Sequence, residues 1–188
     1  MKLLGTIAAL LVAGSVPAAA NAASADQVAV ASPSLKGKMA LKVSSSEIKP
    51  GAPIPDDFSA YGKNVSPPLR WGKGPYGTRS FALVLEDPDA PMASPFVHWI
   101  MWAVPAGVTS LETGKAPEGA VQGKMGAGRL GYFGPRPPPG APHHYHFQVF
   151  ALDQTPNLTS DADLKALETA MAGHVLASGE LVATYQKK

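Results

Sequence analysis

The sequence contains no cysteine among its 188 residues. A disulfide framework is therefore excluded, and so are thiolate metal sites and cysteine nucleophiles. Charge is scarce as well: Asp, Glu, Lys and Arg make up 16% of the chain, with a formal net charge of +2. The basic residues are scattered, so the electrostatic footprint of a nucleic-acid or anionic-membrane binder is missing. There are no internal repeats. A chain without covalent staples or a charge-driven partner must be held by a hydrophobic core, and about 165 residues suffice for one domain with a core of ordinary size.

One apolar run stands out, and it lies at the N-terminus. Lys2 precedes a run reaching about Val16, followed by small residues that offer two A-x-A sites, Ala20-Asn21-Ala22 and Ala23-Ser24-Ala25. This pattern predicts a cleavable secretory signal over residues 1–25, cut between Ala22 and Ala25. A membrane anchor is the competing reading, but a spanning helix needs ~20 apolar residues and Pro17 interrupts this run. The protein is therefore expected to be exported, periplasmic or secreted, with no transmembrane segment in the mature chain. Residues 26–38 are small and polar and read as a flexible arm. Residues 39–188 read as the folded domain.

Within that domain the elements are mostly strands. Ser80 to Leu85 and Phe96 to Val104 are short, nearly continuous apolar runs, the mark of strands buried on both faces. His143 to Leu152 forms a third strand, and shorter ones are expected at Met39–Val43 and Glu180–Tyr185. Residues 114–142 hold eight Gly and six Pro, which predicts a structured loop. Helical spacing is found at Leu164, Leu167, Met171 and Val175, with Thr159 to Asp161 as candidate caps and Gly179 as the expected stop. The expectation is a single, mainly β domain with a C-terminal helix.

The polar chemistry collects at the strand ends. The stretch EDPDAPMASPFVHW, Glu86 to Trp99, packs three carboxylates, three prolines and a histidine between two buried strands. Pro88 and Pro91 stiffen the backbone after Asp87. Alternation places Phe96, His98, Ile100 and Trp102 on one face of their strand, and His143, Tyr145 and Phe147 on one face of theirs. His144, His146 and Gln148 then share the opposite, solvated face. Glu86 reads as solvated and Asp89 as a turn-former. Three site chemistries remain open on these residues: an anion pocket, an acid–base pair, or a metal. A serine hydrolase is disfavoured, because Ser94 sits between Ala93 and Pro95 without a G-x-S-x-G frame.

Four segments in order resemble the phosphatidylethanolamine-binding protein family, or Raf kinase inhibitor-like proteins, in its bacterial branch. They are Asn64-Val65-Ser66-Pro67-Pro68-Leu69-Arg70-Trp71, Asp87-Pro88-Asp89-Ala90-Pro91 with His98-Trp99, Gly131-Tyr132-Phe133-Gly134-Pro135, and His143-His144-Tyr145-His146-Phe147. The resemblance implies a β-sandwich of Greek-key type. It also implies a small pocket for a phosphate-type anion or phospholipid headgroup, lined by Asp87, His98, His143 and Tyr145. Pro88, Ala90 and Pro91 would form a wall, and the Gly134 backbone would approach closely. The implied activity is non-enzymatic binding without a cofactor, with a protease or kinase-like protein as a further partner. The rival reading is a metal-dependent hydrolase with Asp87, His98 and His143 as ligands to Zn²⁺. Two departures from the family pattern stand out. Met125-Gly126-Ala127-Gly128 replaces a more polar loop, predicting a looser rim, and His144 stands where an arginine is usual.

Overall fold

Strand β4 (Ser80–Asp87) is buried at all eight of its positions. It lies at the centre of the larger sheet, between β5 (Phe96–Pro105) and β8 (His143–Leu152), antiparallel to both. A strand with neighbours on both edges and packing on both faces can be apolar throughout, which explains the unbroken run in the sequence. The computed structural model describes residues 23–188. The proposed signal segment falls almost wholly on residues outside this range.

The larger sheet has the order β1-β9-β8-β4-β5-β7, with β1 (Met39–Ala40), β7 (Val121–Gln122) and β9 (Val175–Tyr185) completing it. The smaller sheet is β2 (Val43–Ser44), β3 (Leu69–Trp71) and β6 (Ser110–Leu111), in that order. The predicted strand at 39–43 is thus split between two sheets. Leu69, Trp71 and Leu111 of the smaller sheet share one hydrophobic cluster with Phe81, Leu83, Tyr145 and Phe147 of the larger. A second cluster covers the opposite face of the larger sheet, where Ala82, Val84, Ile100, Trp102 and Phe150 pack against helix α1 (Leu164–Met171) and Leu35.

The helix is shorter than the periodicity suggests. Asp163 caps it, its carboxylate accepting the Ala166 N–H at 2.9 Å. Gly173, with φ +79°, provides the left-handed turn beyond its end. Gly179 is a strand residue: Leu41 passes so close that no Cβ fits there. Val175 accordingly opens β9 and does not belong to the helix.

The segment expected to be a free arm is docked. Residues 25–35 make three short 3₁₀ turns against the helix-bearing face of the sheet, burying Val28, Ala29 and Leu35. Its anchor is polar. Glu86 Oε2 accepts from the Ala29 N–H and from Gln148 Nε2, each at 2.8 Å, and Gln148 Oε1 accepts from the Val30 N–H. Glu86 is 2% exposed and not solvated as expected. Burial drives its pKa above the ordinary carboxylate range, against the lowering effect of the Ala29 and Gln148 hydrogen bonds. The predicted solvated face of β8 is likewise largely covered: His146 is buried against Glu180 at 2.7 Å, and only His144 remains exposed.

Candidate functional site

The β4–β5 register breaks once beside the candidate site. Leu85 pairs with Trp99 and Glu86 with Val97, so His98 is an extra residue in β5. Such a bulge re-aims a side chain. Strict alternation would place His98 with Ile100 and Trp102, which belong to the helix-side cluster. The bulge instead turns it to the other face, where its ring meets Tyr145 at 5.2 Å between centroids. Sequence alternation therefore misassigns the partners of His98. A bulge belongs to strand pairing, and no residue type in β5 announces it.

His98 is held from several sides. Its Nδ1 lies 2.8 Å from the Phe133 carbonyl, and its own carbonyl accepts the Phe133 N–H at 3.0 Å. The Phe133 ring stacks on it at 5.8 Å and 7°, and Phe96 meets it edge-on at 4.8 Å. A carbonyl can only accept, so Nδ1 carries the proton. Burial lowers the His98 pKa to about 4, against the raising effect of the Phe133 hydrogen bond and the Asp87 charge. The ring is therefore neutral near pH 7, with a lone pair on Nε2.

Asp87, at the end of β4, organises the remaining groups. Its Oδ1 accepts the Asp89 N–H at 2.9 Å, closing the turn that Pro88 stiffens. Its Oδ2 accepts from His143 Nδ1 at 2.8 Å and lies 4.0 Å from His98 Nε2. Tyr145, two residues along β8 from His143, is fully buried, with its hydroxyl beside Asp87 and the Arg136 backbone N–H but in hydrogen-bond geometry of ordinary length with neither. Burial and the nearby Asp87 charge raise its pKa, so it stays a phenol. Asp87 and His98 are each 3% exposed, and His143 is the more open edge of the cluster, its side chain 12% exposed. A cleft of about 790 Å³ opens next to that edge, lined by Pro142, Tyr61 and Tyr185 among others. None of Asp87, His98, His143 and Tyr145 is part of its wall.

The other expected positions behave differently. Pro88 and Ala90 are buried in the turn, while Pro91 is exposed. The Gly134 N–H is already committed to Asn64 Oδ1 at 2.7 Å. A side chain at Gly134 would strike the Phe58 carbonyl, so close backbone packing requires glycine there. Asn64, with φ +56°, is a positioning residue, and nothing local in its motif marks it for that role. His144 points outward to Asp89, which accepts from its ring and its backbone N–H at 2.7 and 2.6 Å. These bonds overcome partial burial and hold the Asp89 carboxyl below its usual range. Arg136 lies over the Tyr61 ring at 6.0 Å. The Met125–Arg129 turn is tied to β5 by the Gly126 N–H on the Val97 carbonyl at 2.8 Å, and Gly126 packs on Phe96 behind His98. Among the described residues no three His, Asp or Glu side chains are set to hold a metal ion, so the three-ligand arrangement is not formed.

Comparison with known proteins identifies the fold. The family described as phosphatidylethanolamine-binding protein matches residues 44–186, and the chain belongs to that family. Crystal structures of a phosphatidylethanolamine-binding protein homologue from Chlamydia trachomatis and of YbcL from E. coli both superpose with a TM-score of 0.75. They are 36% and 35% identical, each match covering 79% of this chain and 99% of the other. These likenesses place it in the bacterial branch. A UPF0098 protein of Pyrococcus horikoshii is 43% identical over 159 residues, 80% of this chain and 79% of that protein. A Mycobacterium tuberculosis relative, 38% identical over 151 residues and covering 78% and 72% of the two chains, bears the name of a lipoprotein, LppC.

Proposed function

We propose that the cluster binds a small phosphate-type oxyanion, free or as a headgroup, without catalysing a reaction on it. The observation that carries this reading is the joint placement of Asp87, His98, His143 and the unpartnered Tyr145 hydroxyl at the ends of three neighbouring strands. The bond to Asp87 fixes the His143 ring and leaves its Nε2 for a ligand. The buried Tyr145 hydroxyl, beside Asp87, is a further donor for an anion oxygen. A charge-assisted hydrogen bond contributes ~1.5–3 kcal/mol, so a few of them give an affinity on the order of 10⁻⁴ to 10⁻³ M.

Calorimetry with inorganic phosphate and phosphoethanolamine tests the reading. Binding should be measurable with the wild type and lost or much weakened in His143→Ala. Equal binding by both proteins would remove the proposal.

Export belongs to the same reading. It rests on the leader pattern of residues 1–25 and on the lipoprotein name of one relative. Modulation of a protease or kinase-like partner through this pocket is tested by capture from a periplasmic extract with wild type and His143→Ala in parallel.

A further inference from the structure

We propose that the cleft beside the cluster is a second ligand site, fitted to a planar aromatic molecule that carries an anionic group. Its walls include none of Asp87, His98, His143 and Tyr145, so the assignment does not rest on the oxyanion reading above.

The apolar part of the wall is built and fixed. Ile54, Pro142, Tyr61 and Tyr185 line a recess of about 790 Å³, within the size range of small-ligand sites. The Tyr61 and Tyr185 rings lie nearly parallel, 6.3 Å between centroids at 16°. Each is held by its hydroxyl: Tyr61 donates to the Pro137 carbonyl at 2.8 Å and Tyr185 to Asp56 Oδ1. The chain beside them is tied as well. Lys187 bridges to Pro139, and Gln186 Nε2 donates to the Gly140 carbonyl at 2.7 Å. Tyr61 nevertheless stays 39% exposed. Two rings held in one orientation, one of them open to solvent, offer a surface on which a further planar ring packs at little cost in side-chain ordering.

The charge gathers over the same ring. Lys187 Nζ lies 4.8 Å and Arg136 Cζ 6.0 Å from the Tyr61 centroid, and Lys188 also lines the cleft. Lys63, Lys115 and Lys124 are the lysines with carboxylate partners. Among the described residues, Arg136, Lys187 and Lys188 have no carboxylate within ion-pair distance. The acidic side chain in the wall, Asp56, is spent on the hydroxyls of Tyr185 and Ser59. Contact with the ring face positions the ammonium and the guanidinium without neutralising them. A carboxylate, sulfonate or phosphate that enters with an aromatic ring therefore finds charge-assisted donors beside an apolar wall. A cationic ligand is repelled, and an uncharged one leaves the cations unmatched.

Fluorescence titration of the protein, without a C-terminal handle, tests the assignment. The probe is anilinonaphthalene sulfonate, with phenylnaphthylamine as its uncharged counterpart and hexaglutamate as an acidic chain without a ring. The sulfonate should bind at least ~10-fold more tightly than the uncharged dye, the gain of one charge-assisted hydrogen bond. Its affinity should fall as salt is added. Lys187 is exposed, so Lys187→Glu keeps the core intact and should weaken the sulfonate by about 10-fold or more. Amide NMR should place the dye against residues 53–61 and 184–188. Equal affinity for both dyes, indifference to Lys187→Glu, or shifts centred on Asp87 and His98 overturns the proposal. Tighter binding of hexaglutamate than of the sulfonate overturns it too, in favour of a peptide surface. Phosphate calorimetry on the cluster is a separate measurement, and neither result decides the other.

Discussion

His98 and Phe133 hold each other twice, ring Nδ1–H to carbonyl at 2.8 Å and carbonyl to N–H at 3.0 Å. This double clasp fixes the tautomer of a buried imidazole and ties the glycine-rich loop to the bulge in β5. It also makes His98 a liability in acid. Its folded pKa, about 4, lies below the 6.5 of an unperturbed histidine. Between those values the unfolded chain binds the proton and the folded one does not. Stability is therefore lost as the pH falls from about 6.5 to about 4, by roughly 3 kcal/mol for this group. Thermal melts of wild type and His98→Asn across that window should converge toward low pH, since only the wild type carries this loss. Parallel curves would show that His98 is not the group responsible.

Tyr145→Phe separates binding from stability. The hydroxyl it deletes is buried without a partner, so the variant should be as stable as wild type or more stable by up to ~1–2 kcal/mol. Its affinity for phosphate should nevertheless fall about 10-fold. Loss of stability comparable to that of a core truncation would mean that the hydroxyl has a partner in the free protein.

The Glu86 carboxylate is the staple of the N-terminal segment. Glu86→Ala leaves the Ala29 N–H and the Gln148 amide unmatched in a buried place, which should cost ~2–3 kcal/mol. Residues 25–35 should then be cut much sooner by a nonspecific protease than in wild type, while phosphate affinity changes little. Unchanged cleavage would show that Leu35 and Ala29 alone hold the segment down.

Gly134→Ala tests the packing behind the site. The added methyl meets the Phe58 carbonyl and displaces the loop that Asn64 pins. Overpacking of this kind costs ~1–3 kcal/mol. Because Phe133 precedes Gly134, the His98 clasp should loosen as well, visible as faster exchange of the Phe133 amide. An amide as protected as in wild type would show that the strain is absorbed elsewhere.

How much of this could be read from the residues depends on whether the feature is local. The apolar runs of β4, β5 and β8 were legible because burial on two faces leaves no room for polar residues. The shared face of His143 and Tyr145 followed from alternation. What escaped depends on pairing and long-range contact. The bulge that turns His98 exists only where Leu85 and Glu86 meet β5 out of step. Glu86 and Gln148 look like surface residues until residues 25–35, more than fifty positions away from Glu86 in sequence, fold over them. Gly179 resembled a helix stop because nothing local reveals that Leu41 crosses it. The loop of residues 114–142 was recognisable as structured, but its key acceptor is a backbone carbonyl, which no side chain advertises.

The Ala23 N–H is bonded to the Met92 carbonyl at 2.9 Å, on the same turn that carries Asp89 and Pro91. At the C-terminus Lys187 bridges to Pro139, three residues from Pro142 and the mouth of the neighbouring cleft. An affinity handle or fluorescent fusion attached at the C-terminus would emerge beside the loops that frame the cluster. Handles should therefore be cleaved off before any titration, and a reporter is better inserted at the turn before β4, where Tyr76 is fully exposed.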